Sequence, residues 1–157
     1  MTTTRRAKWL LGISRVLVLA LAIGAGCRAR QPPAPAASAP SFSRDVAPVL
    51  ARMCAANRGC HGEAPTDSVD LDLRRASAYR QLVGQPAQAR KGALRVKPGD
   101  ASASFLVDKL TGALGPREGK PMPIDAQTGA PILPSPIDRA YVDAILAPWI
   151  AAGAPEN

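Results

Sequence analysis

The chain predicts an all-α fold: one small domain of about four short helices joined by long proline-rich loops. Three observations carry this. Apolar residues recur at three- and four-residue steps in several short windows, the period of one helix face. No window shows a clear strand pattern, and no internal repeat is present. Between the windows lie most of the 16 prolines and 13 glycines, which end helices and start turns. At 157 residues, one domain is the default.

The domain is expected to span residues 41–157. In its first helix Phe42, Val46, Val49, Leu50 and Met53 share a face, Ser41 or Ser43 can cap the start, and the helix delivers the chain to Cys54. Met53 is expected to point into the core. Residues 62–74 carry Gly, Pro and alternating Asp and read as loop. A second helix is expected over Arg74–Val83, stopping near Gly84 and Pro86. Pro98–Gly99 makes a turn. Asp100 or Ser102 caps a third helix through Phe105, Leu106 and Leu110, and Gly112 ends it. Residues 113–136 hold Pro116, Pro121, Pro123, Pro131 and Pro134 before Pro136, and a structured loop of that length is usually functional. The last helix is expected from Ser135–Pro136. Ile137, Tyr141, Val142, Ile145, Leu146, Trp149 and Ile150 form its apolar face, and Gly153 ends it. Pro148 lacks a backbone donor, so the final turn should kink or be irregular.

Residues 1–26 read as an export signal. Arg5, Arg6 and Lys8 precede an apolar run, and small residues follow in "GAGC". The core of that run, residues 16–26, is shorter than the roughly 20 apolar residues that a membrane span needs. Cys27 after small residues resembles the lipobox of bacterial lipoproteins, which implies lipidation at Cys27 and a membrane anchor. The family's leucine three places earlier is replaced here by Gly24. Residues 27–40 are Pro/Ala/Ser-rich and read as a tether. This organisation places the domain outside the cytoplasm, on the periplasmic side, where disulfides and covalent haem both form.

The formal net charge is +8. Four of the 20 basic residues leave with the signal, so 16 remain against 12 acidic ones, a net of +4. The charges are interspersed, which argues against a nucleic-acid partner. A mild positive bias suits an acidic redox partner.

The chemistry concentrates in "MCAANRGCHG", residues 53–62, which holds two of three cysteines and the one histidine. A cysteine followed directly by histidine is the arrangement that holds a haem through a thioether and places the imidazole under the iron. Five residues, Ala55 to Gly59, separate Cys54 from Cys60, where the usual attachment site has two. They must loop out, which Gly59 eases. Three readings stay open: haem on both cysteines, haem on Cys60 alone with Asn57 in the first-cysteine place, or no haem and a Cys54–Cys60 disulfide. Structural zinc needs four Cys/His ligands, and only Cys54, Cys60 and His61 are at hand. Asp67, Asp70 and Asp72 alternate but lack the glycine and terminal glutamate of a calcium loop. Met122 lies in "GKPMP", between Pro121 and Pro123. Two prolines limit the loop's freedom and so lower the entropy lost in presenting a sulfur.

From Phe42 to Ala154 the chain resembles small class I c-type cytochrome domains of exported bacterial proteins. The matching pieces, in the family's order, are "FSRDVAPVLARMC", "CHG", "KPGDASASFLVDKLTG", "GKPMP" and "IDRAYVDAILAPWIAAGAP". The resemblance implies one haem c attached at Cys54 and Cys60, its iron ligated by His61 and by Met122. It implies crossing first and last helices, and an electron carrier rather than an enzyme, a monomer that meets other redox proteins. Only five aromatic residues follow the signal: Phe42, Tyr79, Phe105, Tyr141 and Trp149. A flat apolar cofactor would supply buried surface that this domain otherwise lacks. The alternatives are a haem-free binding or interaction module stapled by Cys54–Cys60, and a haem enzyme or gas sensor with Met122 off the iron. Trp149 is expected in the core, Arg74 and Arg75 in solvent, and Lys109 and Lys120 are candidate docking charges.

Overall fold

The computed structural model describes residues 38–56, 61–62, 71–125 and 127–157. The expected signal, nearly all of the tether, Cys27, Asn57, Cys60, Asp67 and Asp70 lie outside them. The described residues form four continuous helical segments and no strand, a small all-α fold.

Ser41 starts the opening helix, as its short polar side chain predicts. It sits in extended conformation, and its Oγ accepts from the Arg44 N–H at 3.4 Å. Its own N–H donates to Asp45 Oδ2 at 2.8 Å, the reciprocal half of a capping box with the acid one residue further along than usual. Asn157 satisfies further unpaired donors: its main-chain oxygen accepts from Ser43 N–H and Ser41 Oγ, both at 2.8 Å. Its Oδ1 accepts from Phe42 N–H at 2.9 Å. Asn157 thus caps the opening helix of the described residues.

The opening helix runs as a π-type turn, Phe42–Val46, followed by α-helix, Ala47–Cys54. The closing helix repeats the device: Arg139–Tyr141, a π-type turn at Val142–Leu146, then Ala147–Ala151. In each, an alanine N–H bonds five residues back, Ala47 to Phe42 and Ala147 to Val142, and Ala–Pro follows. Proline has no N–H and its ring crowds the carbonyl four residues earlier; a wide turn relieves that crowding. The irregularity that accompanies Pro148 thus lies in the turn before it and not in the final turn, which is α-helical, and Pro48 has its twin. The two π-type turns pack against each other.

The second helix, Ala78–Leu82, is shorter than expected because residues 74–77 form a turn closed by Arg74 O. The third helix, Phe105–Thr111, starts at Ser104 and not at Asp100 or Ser102. Asp100 heads the preceding turn instead: its Oδ1 accepts from Ser102 Oγ at 2.7 Å and from Ala103 N–H at 3.0 Å. Gly112 ends the helix at φ 80°, as predicted. The closing helix starts three residues later than Ser135–Pro136, because Asp138 takes the cap and accepts from Tyr141 N–H at 3.0 Å. Gly153 follows its end at φ 95°.

The core lies where opening and closing helices meet. Phe42 stacks edge-on against Tyr79 at 5.1 Å and tilted against Trp149 at 5.4 Å. Val46, Leu50, Leu82, Val96, Val142, Leu146 and Ile150 close round them, none more than 1% exposed. The Trp149 indole and two tyrosine hydroxyls reach main-chain carbonyls: Trp149 Nε1 donates to Pro155 O, Tyr79 OH to Ala154 O, and Tyr141 OH to Asp45 O.

Between second and third helices the chain doubles back. Gly84 N–H donates to Val96 O, Arg95 N–H to Gln85 O, and Ala87 N–H to Ala93 O. The carbonyls of Leu94 and Arg95 then accept from Phe105 and Leu106 N–H, donors that a helix start leaves unpaired. This stitched loop forms one side of a cavity.

Candidate functional site

The cavity holds about 400 Å³ and its walls are mainly apolar. Five pieces of chain build it. Met53 and Cys54 come from the end of the opening helix, and His61 from just beyond. Leu71, Leu73 and Leu82 form the floor with Phe105, Leu106 and Leu110 of the third helix. Gln88 and Arg95 enter from the stitched loop, and Met122, Pro123 and Ile124 from the loop that follows the third helix.

Three of the residues singled out from sequence therefore share one wall system: Cys54, His61 and Met122. Cys60 and Cys27 lie outside the described residues. Met53 departs from expectation: it is half-buried and faces the cavity, because it sits one residue before Cys54 on the exposed end of its helix. Trp149 is in the core as predicted. Arg74 is exposed and paired with Asp72 at 2.9 Å, and Arg75 is exposed. Lys120 is exposed and donates to Gly129 O at 3.1 Å. Lys109 is half-buried, lines the cavity and holds a loop.

His61 is 8% exposed. Its N–H donates to Cys54 O at 3.1 Å and its carbonyl accepts from Leu73 N–H at 2.8 Å, which pins the residue to the helix end. Its ring Nδ1 lies 3.3 Å from the Leu71 carbonyl. A carbonyl only accepts, so the contact belongs to the tautomer with hydrogen on Nδ1, which leaves a lone pair on Nε2. Burial holds the ring's pKa below its usual value, and the nearby Lys109 and Arg95 charges push the same way; the Leu71 carbonyl opposes them. The lowered pKa favours the neutral ring, the form that ligates a metal.

Met122 is placed by the third helix. Its N–H donates to Lys109 O at 2.8 Å, and Pro123 beside it is buried. The loop ahead is fastened by Arg90, which pairs with Asp108 and also reaches Glu118 through two bonds of 2.7 and 2.6 Å. Arg90 lies 4.8 Å over the Phe105 ring, a favourable stacking for a guanidinium.

Arg95 and Gln88 escaped the sequence reading. Arg95 is anchored by its Nη1, which donates to Gln81 O at 2.7 Å. Its only sequence signal is a charge between Leu94 and Val96, and nothing local says which way it turns.

Among the described residues no three His, Cys, Asp or Glu side chains converge to hold a metal. The cavity wall offers one imidazole nitrogen, from His61, two thioethers, from Met53 and Met122, and the Cys54 thiol, so a metal bound at His61 would have to bring further ligands with it. No described helix is long and apolar enough to cross a membrane. Compared with protein-family models, with curated proteins and with solved structures, the chain matches none.

Proposed function

We propose that this chain is an exported, lipid-anchored electron carrier with one covalently attached c-type haem. Cys54 and Cys60 form the thioethers, His61 and Met122 ligate the iron, and Cys27 carries the lipid. The observation that carries the reading is the meeting of Cys54, His61 and Met122 on the walls of one apolar cavity, from two stretches far apart in the chain.

The residues fit the group. Small-molecule cavities run from about 300 to 1,000 Å³ and are mostly apolar with few polar groups, and this cavity has that character. A porphyrin would bring the further ligands that the protein lacks. Arg95 and Lys109 are the two cations in the wall and supply charge opposite to the porphyrin's carboxylates. When bound, haem supplies a one-electron iron couple. The chain's own residues do the rest. The Leu71 carbonyl holds His61 in the tautomer that frees Nε2. The Lys109 carbonyl presents Met122, whose soft sulfur favours ferrous iron. The apolar wall keeps water from the centre. With both His61 and Met122 given to holding the group, the chemistry that it would supply is single-electron exchange with other redox proteins.

The test is a haem-stained denaturing gel and a spectrum of protein made with cytochrome c maturation factors. One covalent haem with a six-coordinate low-spin spectrum is expected, and Met122→Ala should abolish the weak red sulfur–iron band and lower the potential. An unmodified mass with a Cys54–Cys60 disulfide would falsify the reading and favour a haem-free module. A five-coordinate high-spin spectrum would favour a haem enzyme or sensor.

A further inference from the structure

The stretch 118–122 wraps round one ammonium. Lys109 Nζ donates to Glu118 O at 2.8 Å and to Lys120 O at 3.0 Å. The Lys109 carbonyl accepts from Met122 N–H at 2.8 Å. One residue of the third helix thus holds the stretch at three points, the last of them Met122 itself. Gly119 stands between the two carbonyls at φ 80°, and a Cβ there would come within 3.1 Å of Lys109 Nζ. A glycine is what lets both carbonyls turn inward on the cation. Lys109 Nζ also sits 5.7 Å over the Phe105 ring, which helps to set the direction of the side chain. Bonds from a charged donor are roughly twice as strong as neutral ones. The neighbouring clamp, Arg90 with Asp108 and Glu118, grips the outer part of the loop.

We propose that Lys109 is the positioning residue for Met122: its ammonium folds the Glu118 and Lys120 carbonyls inward, and its carbonyl then fixes Met122 at the cavity wall. The proposal rests on Met122 as distal ligand, the reading given above.

The test uses the full chain matured with haem. Lys109→Met keeps the length and removes the donors. It should speed amide exchange at Met122 by about tenfold, the effect expected for losing a net hydrogen bond to a charged group, and should weaken the sulfur–iron band. Lys109→Arg should retain both properties, and Arg90→Met should retain the band. Unchanged exchange at Met122 in Lys109→Met overturns the proposal. So does Lys109→Arg failing as badly as Lys109→Met, or Arg90→Met losing the band as well. Exchange at Leu146, in the core, reports global unfolding. If Lys109→Met proves unfolded by that measure, Gly119→Ala presses on the ammonium from the loop side, and unchanged Met122 exchange there overturns the proposal. A wild-type chain without haem refutes the electron-carrier reading, while exchange at Met122 still tests the role of Lys109, so the two failures are distinguishable.

Discussion

The two ends of the opening helix have different surroundings. Phe42, Val46 and Leu50 sit in a full core against Tyr79, Trp149 and Leu146. One turn further on, Met53 and Cys54 face a cavity of about 400 Å³. Both neighbourhoods are apolar. The first is complete because two helices with matching proline-linked wide turns pack on each other; the second is walled mostly by loops and leaves room. An apolar wall that the protein does not itself fill is stabilised when something else fills it, so stability should be spread unevenly across this molecule.

The largest effect is expected in the full core. Trp149→Ala removes a fully buried ring and its bond to Pro155 O, and should cost about 3–5 kcal/mol in urea unfolding. Leu106→Ala, in the half-buried cavity wall, should cost about 1 kcal/mol in haem-free protein, since little packing is lost there. A Leu106→Ala cost as large as that of Trp149→Ala would mean that the cavity side is as tightly packed as the core.

Acid should separate the two regions next. The Arg90 guanidinium, helped by Gly115 N–H, lowers the Glu118 carboxyl from its ordinary 4.5 to about 2. A carboxyl depressed on folding stabilises above its unfolded value, and that contribution is lost as pH falls toward the folded value. The loop at 115–122 should therefore lose amide protection between pH 4.5 and about 2, ahead of the Trp149 fluorescence change. Arg90→Met should largely remove that pH dependence and leave the loop less protected already above pH 4.5. Simultaneous loss of loop and core would show that the cavity wall and the core open as one unit.

The smallest effect concerns the wide turns. Pro148→Ala should change stability by less than about 1 kcal/mol, yet should let Val142–Leu146 relax toward α-helical bonding. If a crystal structure of that variant keeps the Ala147 to Val142 bond, packing against the opening helix holds the turn and not the proline ring.

Much of the core side was legible in the chain itself. Helical spacing named Phe42, Val46, Leu50, Val142, Leu146, Trp149 and Ile150, and all are buried. Gly112 and Gly153 marked helix ends correctly. The cysteine–histidine pair and the proline-flanked Met122 could be singled out because their meaning is local: adjacency in one case, restricted backbone in the other. Helix starts were read less well. Ser135 and Asp138 are both good caps by type, and Asp100 competes with Ser104 in the same way; the local sequence does not rank them. Tertiary structure alone decided that Met53 faces a cavity, that Arg95 turns into it, that Lys109 holds the Met122 loop, and that the Leu71 carbonyl sets the His61 tautomer. The physical reason is range. A helix face is made by residues three and four apart, so its period is written in the chain. A cavity wall is made by residues tens of positions apart, carried on loops without a period, and their meeting exists only once the long-range contacts have formed.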